Sequence, residues 1–396
     1  MCSYAVVYNA NVYNENPFTF GALALDDAFV DREAELRALR VDLRSGQDVV
    51  VLAPRRYGKS SLVLRAMQQA LEDGVLVAYC DLMRSPTKER FAAALAKTIV
   101  DDLASPVGQA IERAAALFRG LRIRPVMEID PDDGGIRFSF QAGRGTTDID
   151  DTIDRLLELP GELAAERRKR VALVLDEFQE VVSLDKTLPN RMRAVFQTQP
   201  EVGHVYLGSK RHVIEGIFAD RNEPFWRSAR QMEIGRLPLD ALPGFVRARF
   251  EATERDADDD ALALLLDATA GHPYATQELA FFAWSHVPHG HACRAADVEA
   301  ALRDVLRAEH NNLARIWEAA TRNERLVLLA LRSGPTNLYA EETRALAGLP
   351  APTFVQRAVR ALVRDDVVEK APDGRYRIAE PFLAEWLRLS QAGGRP

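Results

Sequence analysis

Residues 49–64, VVVLAPRRYGKSSLVL, constrain the fold more than any other stretch of this chain. A short apolar run rich in valine fits a strand buried on both faces. It stops at Ala53-Pro54, and Lys59-Ser60-Ser61 opens a segment with apolar residues at helical spacing. From Ala53 to Ser60 the stretch follows the pattern G-x-x-x-x-G-K-[ST], with alanine in place of the first glycine. A loop that wraps an anion must turn successive backbone N–H groups inward, which calls for tight curvature and a glycine at Gly58, where a side chain would collide. Pro54, Arg55, Arg56, Tyr57, Gly58, Lys59, Ser60 and Ser61 are therefore expected to cradle a polyphosphate. Lys59 supplies a mobile charge, the Ser60 hydroxyl a ligand for Mg²⁺, and the helix N-terminus its dipole. The bland alternative is a plain strand, turn and helix with an exposed lysine.

A second apolar run, VALVLDEFQEV from 171 to 181, ends in Asp176-Glu177. Two carboxylates at the end of a buried strand are costly unless a cation or water meets them. Beside a phosphate-binding turn, Asp176 is expected to hold Mg²⁺ and Glu177 to activate water. That pairing favours hydrolysis over transfer to a substrate hydroxyl. A third run, HVYLGSKR from 204 to 211, ends in Ser209, the expected γ-phosphate sensor, with Lys210 and Arg211 as alternatives. Arg221, Arg227 and Arg230 follow as candidates for an arginine acting on a neighbouring subunit's site.

Strand-type runs at 48–53, 75–81, 171–176, 204–209 and 230–234 alternate with helical patterns, which predicts a parallel sheet with right-handed crossovers. IRPVMEI and IRFSFQA flank PDDGG, predicting a β-hairpin at about 122–143 inserted before the third core strand. After Leu237 the pattern reads as helices only. From about 310 it reads as helices followed by two strand-like pieces around Asp373-Gly374, the order of a winged helix. The expected division is a nucleotide-binding core at 1–237, a helical lid at 238–309 and a winged-helix domain at 310–396.

Composition narrows the classes. With 396 residues, the chain is long enough for two or three domains. A formal charge of −7 argues against a surface coated for nucleic acid. Cys2, Cys80 and Cys293 are too scattered for a disulfide framework or a zinc site, and Cys80 is expected to be buried. No uninterrupted apolar segment approaches the roughly 20 residues of a membrane helix, and the N-terminus lacks a secretory pattern. The chain reads as cytoplasmic.

With these motifs in place, the chain resembles the archaeal/bacterial ATPase family of STAND-type P-loop NTPases, relatives of the origin-recognition AAA+ proteins. PRRYGKSSL resembles the family's Walker A motif and LDEFQ its Walker B motif. FVDREAEL, residues 29–36, resembles the leading motif F-x-G-R-x-x-E-L, with Asp31 in place of glycine and Arg32 matching. Gly271-His272-Pro273 resembles the lid motif G-x-P, and PFLAEWLR the end of the winged helix. The resemblance implies a five-stranded α/β sheet in which the sensor strand separates the Walker A and Walker B strands. It further implies a helical lid, a C-terminal winged helix, Arg32 near the adenine and Pro273 reaching the nucleotide.

The function expected is an ATP-binding, Mg²⁺-dependent ATPase working as a nucleotide-gated switch between ATP and ADP forms, with Lys59, Asp176, Glu177 and Ser209 as its catalytic set. The alternative is a non-catalytic, nucleotide-loaded binding module, such as a winged-helix DNA-binding regulator or transposition-type helper. In TFVQRAVRALVRDD, Phe354, Val355, Ala358 and Leu362 are expected to be buried, leaving Arg357, Arg360 and Arg364 on another face. Acidic residues follow at once, so a protein-contacting, self-associating or autoinhibitory surface is favoured there over a DNA reader, which stays open. Trp226, Trp284, Trp317 and Trp386 are expected in the core.

Overall fold

The computed structural model describes residues 16–23, 29–104, 117–118, 121–123, 125–129, 136–140, 146–209, 211–371 and 373–391. Cys2, the PDDGG turn and Lys210 lie outside the described residues. The described chain divides into two compact units. Of the described residues, one unit holds those of 32–53 and 59–234, and the other holds those of 16–31, 54–58 and 235–391 together.

In the first unit, α1 (Glu33–Ser45) leads to β1 (Val49–Leu52), and α2 (Lys59–Glu72) leads to β2 (Leu76–Asp81). Next come α3 (Lys88–Thr98), a π-helical stretch at Ile99–Ala104, and an antiparallel pair, β3 (Val126–Ile129) with β4 (Ile136–Ser139). Then follow α4 (Thr146–Arg167), β5 (Val171–Asp176), α5 (Glu180–Leu184), α6 (Leu188–Phe196), β6 (Val202–Gly208), α7 (Arg211–Ala219) and β7 (Arg230–Glu233). Five strands form one parallel sheet in the order β2-β5-β6-β1-β7. The Walker B strand β5 is thus one strand removed from β1, with β6 between them, as the resemblance implied. The central runs became strands that can be buried on both faces, every residue of β1 and β6 being buried, whereas β7 at the sheet edge buries only Met232. Val50, Leu173, Leu175, Tyr206, Phe178, Phe218 and Phe225 share the core of this unit. The predicted hairpin strands are present as β3 and β4, and Cys80 is buried.

The second unit is built from α8 (Leu242–Glu251), β8 (Asp256–Ala257), α9 (Asp259–Thr269), α10 (Pro273–His286), β9 (Ala292–Cys293) and α11 (Ala295–Ala308). It continues through α12 (His310–Ala319), α13 (Arg322–Leu331), α14 (Glu341–Leu346), α15 (Pro352–Arg364), β10 (Val368–Lys370), β11 (Tyr376–Ile378) and α16 (Pro381–Gln391). Side-chain caps start several helices: Asp258 accepts from the Ala261 amide at 2.7 Å, and Thr321 with Glu324 forms a capping box. Strands β10 and β11 pair antiparallel. Strands β8 and β9 pair in parallel, which corrects the all-helical reading of this region; two-residue strands carry no periodicity to read.

Two further expectations fail here. Phe354 is 48% exposed, because the buried stripe of α15 runs through Val355, Ala358, Val359 and Leu362 instead. Trp226, in the first unit, is 38% exposed, with the Arg227 guanidinium over its ring.

Candidate functional site

In a parallel sheet, residues at the C-terminal ends of neighbouring strands converge on one edge. Strands β1, β6 and β5 are neighbours, and each delivers chemistry at that edge. Lys59 opens α2 and is buried, its Nζ donating to the Ala53 carbonyl at 3.1 Å. Ser60 Oγ donates to Asp176 Oδ2 at 3.4 Å. Asp176 Oδ1 accepts from the Glu177 amide at 2.8 Å. Ser209, just past β6, donates to Glu177 Oε2 from its hydroxyl at 2.7 Å and from its amide at 3.3 Å. The structure therefore brings Lys59, Ser60, Asp176, Glu177 and Ser209 into one cluster, with the Ser209 hydroxyl turned onto Glu177.

Two residues that sequence reading passed over complete this cluster. Tyr79, on β2, donates its hydroxyl to Asp176 Oδ2. Gln179 donates its amide to Glu177 Oε2. The signal for Gln179 was present in LDEFQ, two residues beyond the base. For Tyr79 there was none, because only the pairing of β2 with β5 sets it beside Asp176.

The two adjacent carboxyls are driven apart electrostatically. Burial pushes Asp176 above the ordinary aspartate value, against the donors from Tyr79 and the Glu177 amide. Burial also pushes Glu177 up, but the Gln179 and Ser209 donors, with the Lys59 charge, outweigh it and hold the carboxyl below its ordinary value. Burial first, and then the neighbouring Asp176, keep the Tyr79 phenol protonated and hence a donor.

The turn itself is curved by positive φ at Arg56 (65°) and Gly58 (83°). Among the described residues, no atom beyond its chain neighbours lies within 4 Å of where a Gly58 Cβ would sit. The positive φ by itself favours glycine there. Asp31, at the glycine position of the leading motif, also has a positive φ, 22°. Arg32 is buried at the N-cap of α1 and pairs with Glu35 at 3.4 Å. Ser61 is buried and Arg55 exposed.

Within the second unit, the turn residues have close partners. The Tyr57 hydroxyl donates to Glu369 Oε2 at 2.6 Å, and the Tyr57 ring meets His272 edge-on at 4.8 Å. Arg56 stacks over Tyr274 at 4.2 Å and lies 3.9 Å from Glu380. Pro273 starts α10 between His272 and Tyr274, after Gly271 with φ 76°. A Cβ on Gly271 would approach the Leu237 carbonyl to 2.5 Å, so glycine is needed for this close contact. Arg236, also missed from sequence, donates to Glu369 at 2.8 Å and to the carbonyls of Ile378 and Ala379. Of the candidate finger arginines, Arg230 is paired with Asp42.

A magnesium ion suits the donor set in the first unit. Mg²⁺ takes hard oxygen ligands, keeps several waters and is typically held by one or two protein oxygens plus phosphate. Ser60 Oγ and Asp176 Oδ2 are such a pair, already within 3.4 Å of each other.

A family model described as an ATPase domain predominantly from Archaea matches residues 29–279. No curated protein matches the sequence. Among solved structures, a Walker-type ATPase of Pyrococcus abyssi is similar over 94% of this chain and 99% of its own, with 17% identity and a TM-score of 0.64. The Aeropyrum pernix ORC1 protein, solved with DNA, has 16% identity and a TM-score of 0.46, covering 91% of this chain and 93% of its own. The Thermotoga maritima RuvB branch migration motor has 14% identity and a TM-score of 0.42, covering 94% and 98%.

Proposed function

The chain belongs to the family of ATPase domains found predominantly in Archaea, and from that premise we propose that it is a Mg²⁺-dependent ATP hydrolase acting as a nucleotide-gated switch. One observation carries the reading: a lysine, a hydroxyl and two adjacent carboxyls of divergent proton affinity meet at the ends of neighbouring parallel strands. Lys59 and the backbone amides from Arg55 to Ser61 bind the phosphates, and Ser60 and Asp176 hold Mg²⁺. When bound, the ion neutralises charge building on the phosphate oxygens. Tyr79 keeps Asp176 oriented. Glu177 accepts the proton of an attacking water, and its depressed proton affinity keeps it ionised at neutral pH. Ser209 links the γ-phosphate position to the base. Arg32 and Pro273 are assigned to the nucleotide's base.

The switch role is supported by the second unit, where Arg56 and Tyr57 of the phosphate turn bond to Glu380 and Glu369. A turn that changes shape around nucleotide must alter those bonds. We assign 1–237 to the nucleotide-binding core, 238–309 to a lid and 310–396 to a winged helix that contacts protein or a second copy. Exposed Phe354, Arg357 and Arg360 on α15, and exposed Leu346 on α14, support such a contact. No described helix is long and apolar enough to cross a membrane.

The test is phosphate release by wild type, Lys59→Ala and Glu177→Gln. Glu177→Gln is expected to slow release by about 10²–10³-fold while retaining nucleotide, and Lys59→Ala to lose nucleotide binding. Glu177→Gln turning over at the wild-type rate removes the base assignment. Wild-type protein that retains nucleotide but releases no phosphate selects the non-catalytic binding module.

A further inference from the structure

We propose that Gln179 is a positioning residue for the Glu177 base: its amide fixes one carboxylate oxygen so that the other is presented to water. The proposal rests on the reading of Glu177 as the base. Glu177 has φ 54°, a left-handed conformation uncommon for glutamate, so its carboxylate is held by its surroundings and not by backbone preference. Those surroundings are rigid. Phe178 packs against Tyr206, Phe218 and Phe225, and its amide donates to the Leu207 carbonyl at 2.8 Å. Gln179 follows with 2% exposure.

Its side chain makes an unusual commitment. The amide nitrogen donates to Glu177 Oε2, while its own Oε1 has no hydrogen-bond partner among the described residues. A buried acceptor left unpaired is unfavourable, and an apolar side chain of the same length avoids it. What glutamine adds at this position is the donor. Neighbouring β6 accommodates that amide with a glycine: a Cβ on Gly208 would come within 2.5 Å of Gln179 Oε1. Together with Ser209, Gln179 gathers the described donors to Glu177 on a single oxygen, Oε2.

A purely structural glutamine would be replaceable by methionine without consequence for the base. The experiment therefore uses Gln179→Met, which keeps length and burial but deletes the donor, with Gln179→Glu and Glu177→Gln as references. Steady-state hydrolysis and ADP affinity are measured. For folded Gln179→Met we expect kcat to fall about tenfold, with KM and ADP affinity staying within about twofold. Gln179→Glu, which replaces the donor by an acceptor, should lower kcat at least as far. A folded Gln179→Met with wild-type kcat, or one that loses kcat only together with ADP affinity, overturns the proposal, and the base reading survives if Glu177→Gln is still slowed by about 10²–10³-fold. If Glu177→Gln keeps wild-type turnover, the base reading fails and this proposal falls with it.

Discussion

The end of β5 carries a half-buried glutamate and the second turn of α10 a buried one, and their proton affinities are shifted in opposite directions. At Glu278, 2% exposed, burial first and then the neighbouring Glu309 and Glu380 push the carboxyl up to about 8, with Arg56 opposing them in part. Its Oε2 has no hydrogen-bond partner among the described residues. At Glu177 burial acts in the same direction, yet the carboxyl lies below its ordinary value because Gln179, Ser209 and Lys59 favour the charged form. Desolvation does not by itself decide the protonation state of a buried acid; the donors around it do. This difference suits one glutamate to accept a proton near neutrality and leaves the other as a neutral element of its helix bundle.

The largest expected effect on this contrast comes from Gly208→Ala. The new methyl would strike Ile214 and Gln179, costing about 1–3 kcal/mol of stability by overpacking. It would also displace the Gln179 donor and shift Glu177 toward the behaviour of Glu278. Denaturant unfolding combined with the pH profile of hydrolysis checks both parts. Wild-type values in both assays would break the link between strand packing and base chemistry.

Next in size is Glu278→Gln. A folded-state value raised from 4.5 to about 8 means that the native protein holds a proton the unfolded chain releases. Stability is therefore lost as pH rises from about 4.5 to 8 and stays low above that. A neutral glutamine removes the slope, so the variant should gain stability over wild type progressively through that window, the full gain being present at pH 9 and almost none at pH 4. Thermal melts across that range decide it, and a gain independent of pH contradicts the assignment.

Tyr57→Phe should have the smallest effect. Glu369 belongs with Glu177 in being donor-rich, since Tyr57, Arg236 and Arg377 all reach it. Losing one of three donors is expected to cost about 1 kcal/mol in thermal unfolding. A loss several times larger would mean that the phenol, not the two guanidinium groups, holds that carboxylate.

Much of this was legible in advance because apolar runs that end in Lys59-Ser60 or Asp176-Glu177 announce both a buried strand and the chemistry at its tip. The five core strands and the hairpin strands followed from that pattern. Phe354 did not follow, since helical spacing marks a face only to within one residue position, and Trp226 was judged by type instead of surroundings. Tyr79 and Arg236 could not be found by spacing, for their partners lie 97 and 133 residues away.

The sequence by itself determined which segments become strands and which residue types stand at their ends, because hydrophobic period and turn chemistry are local properties. Only the tertiary structure decided which carboxyl is charged and which is neutral, and which oxygen of Glu177 is tied down. Those outcomes depend on dielectric surroundings and on donors that reach across strands, and neither is written in any contiguous stretch of residues.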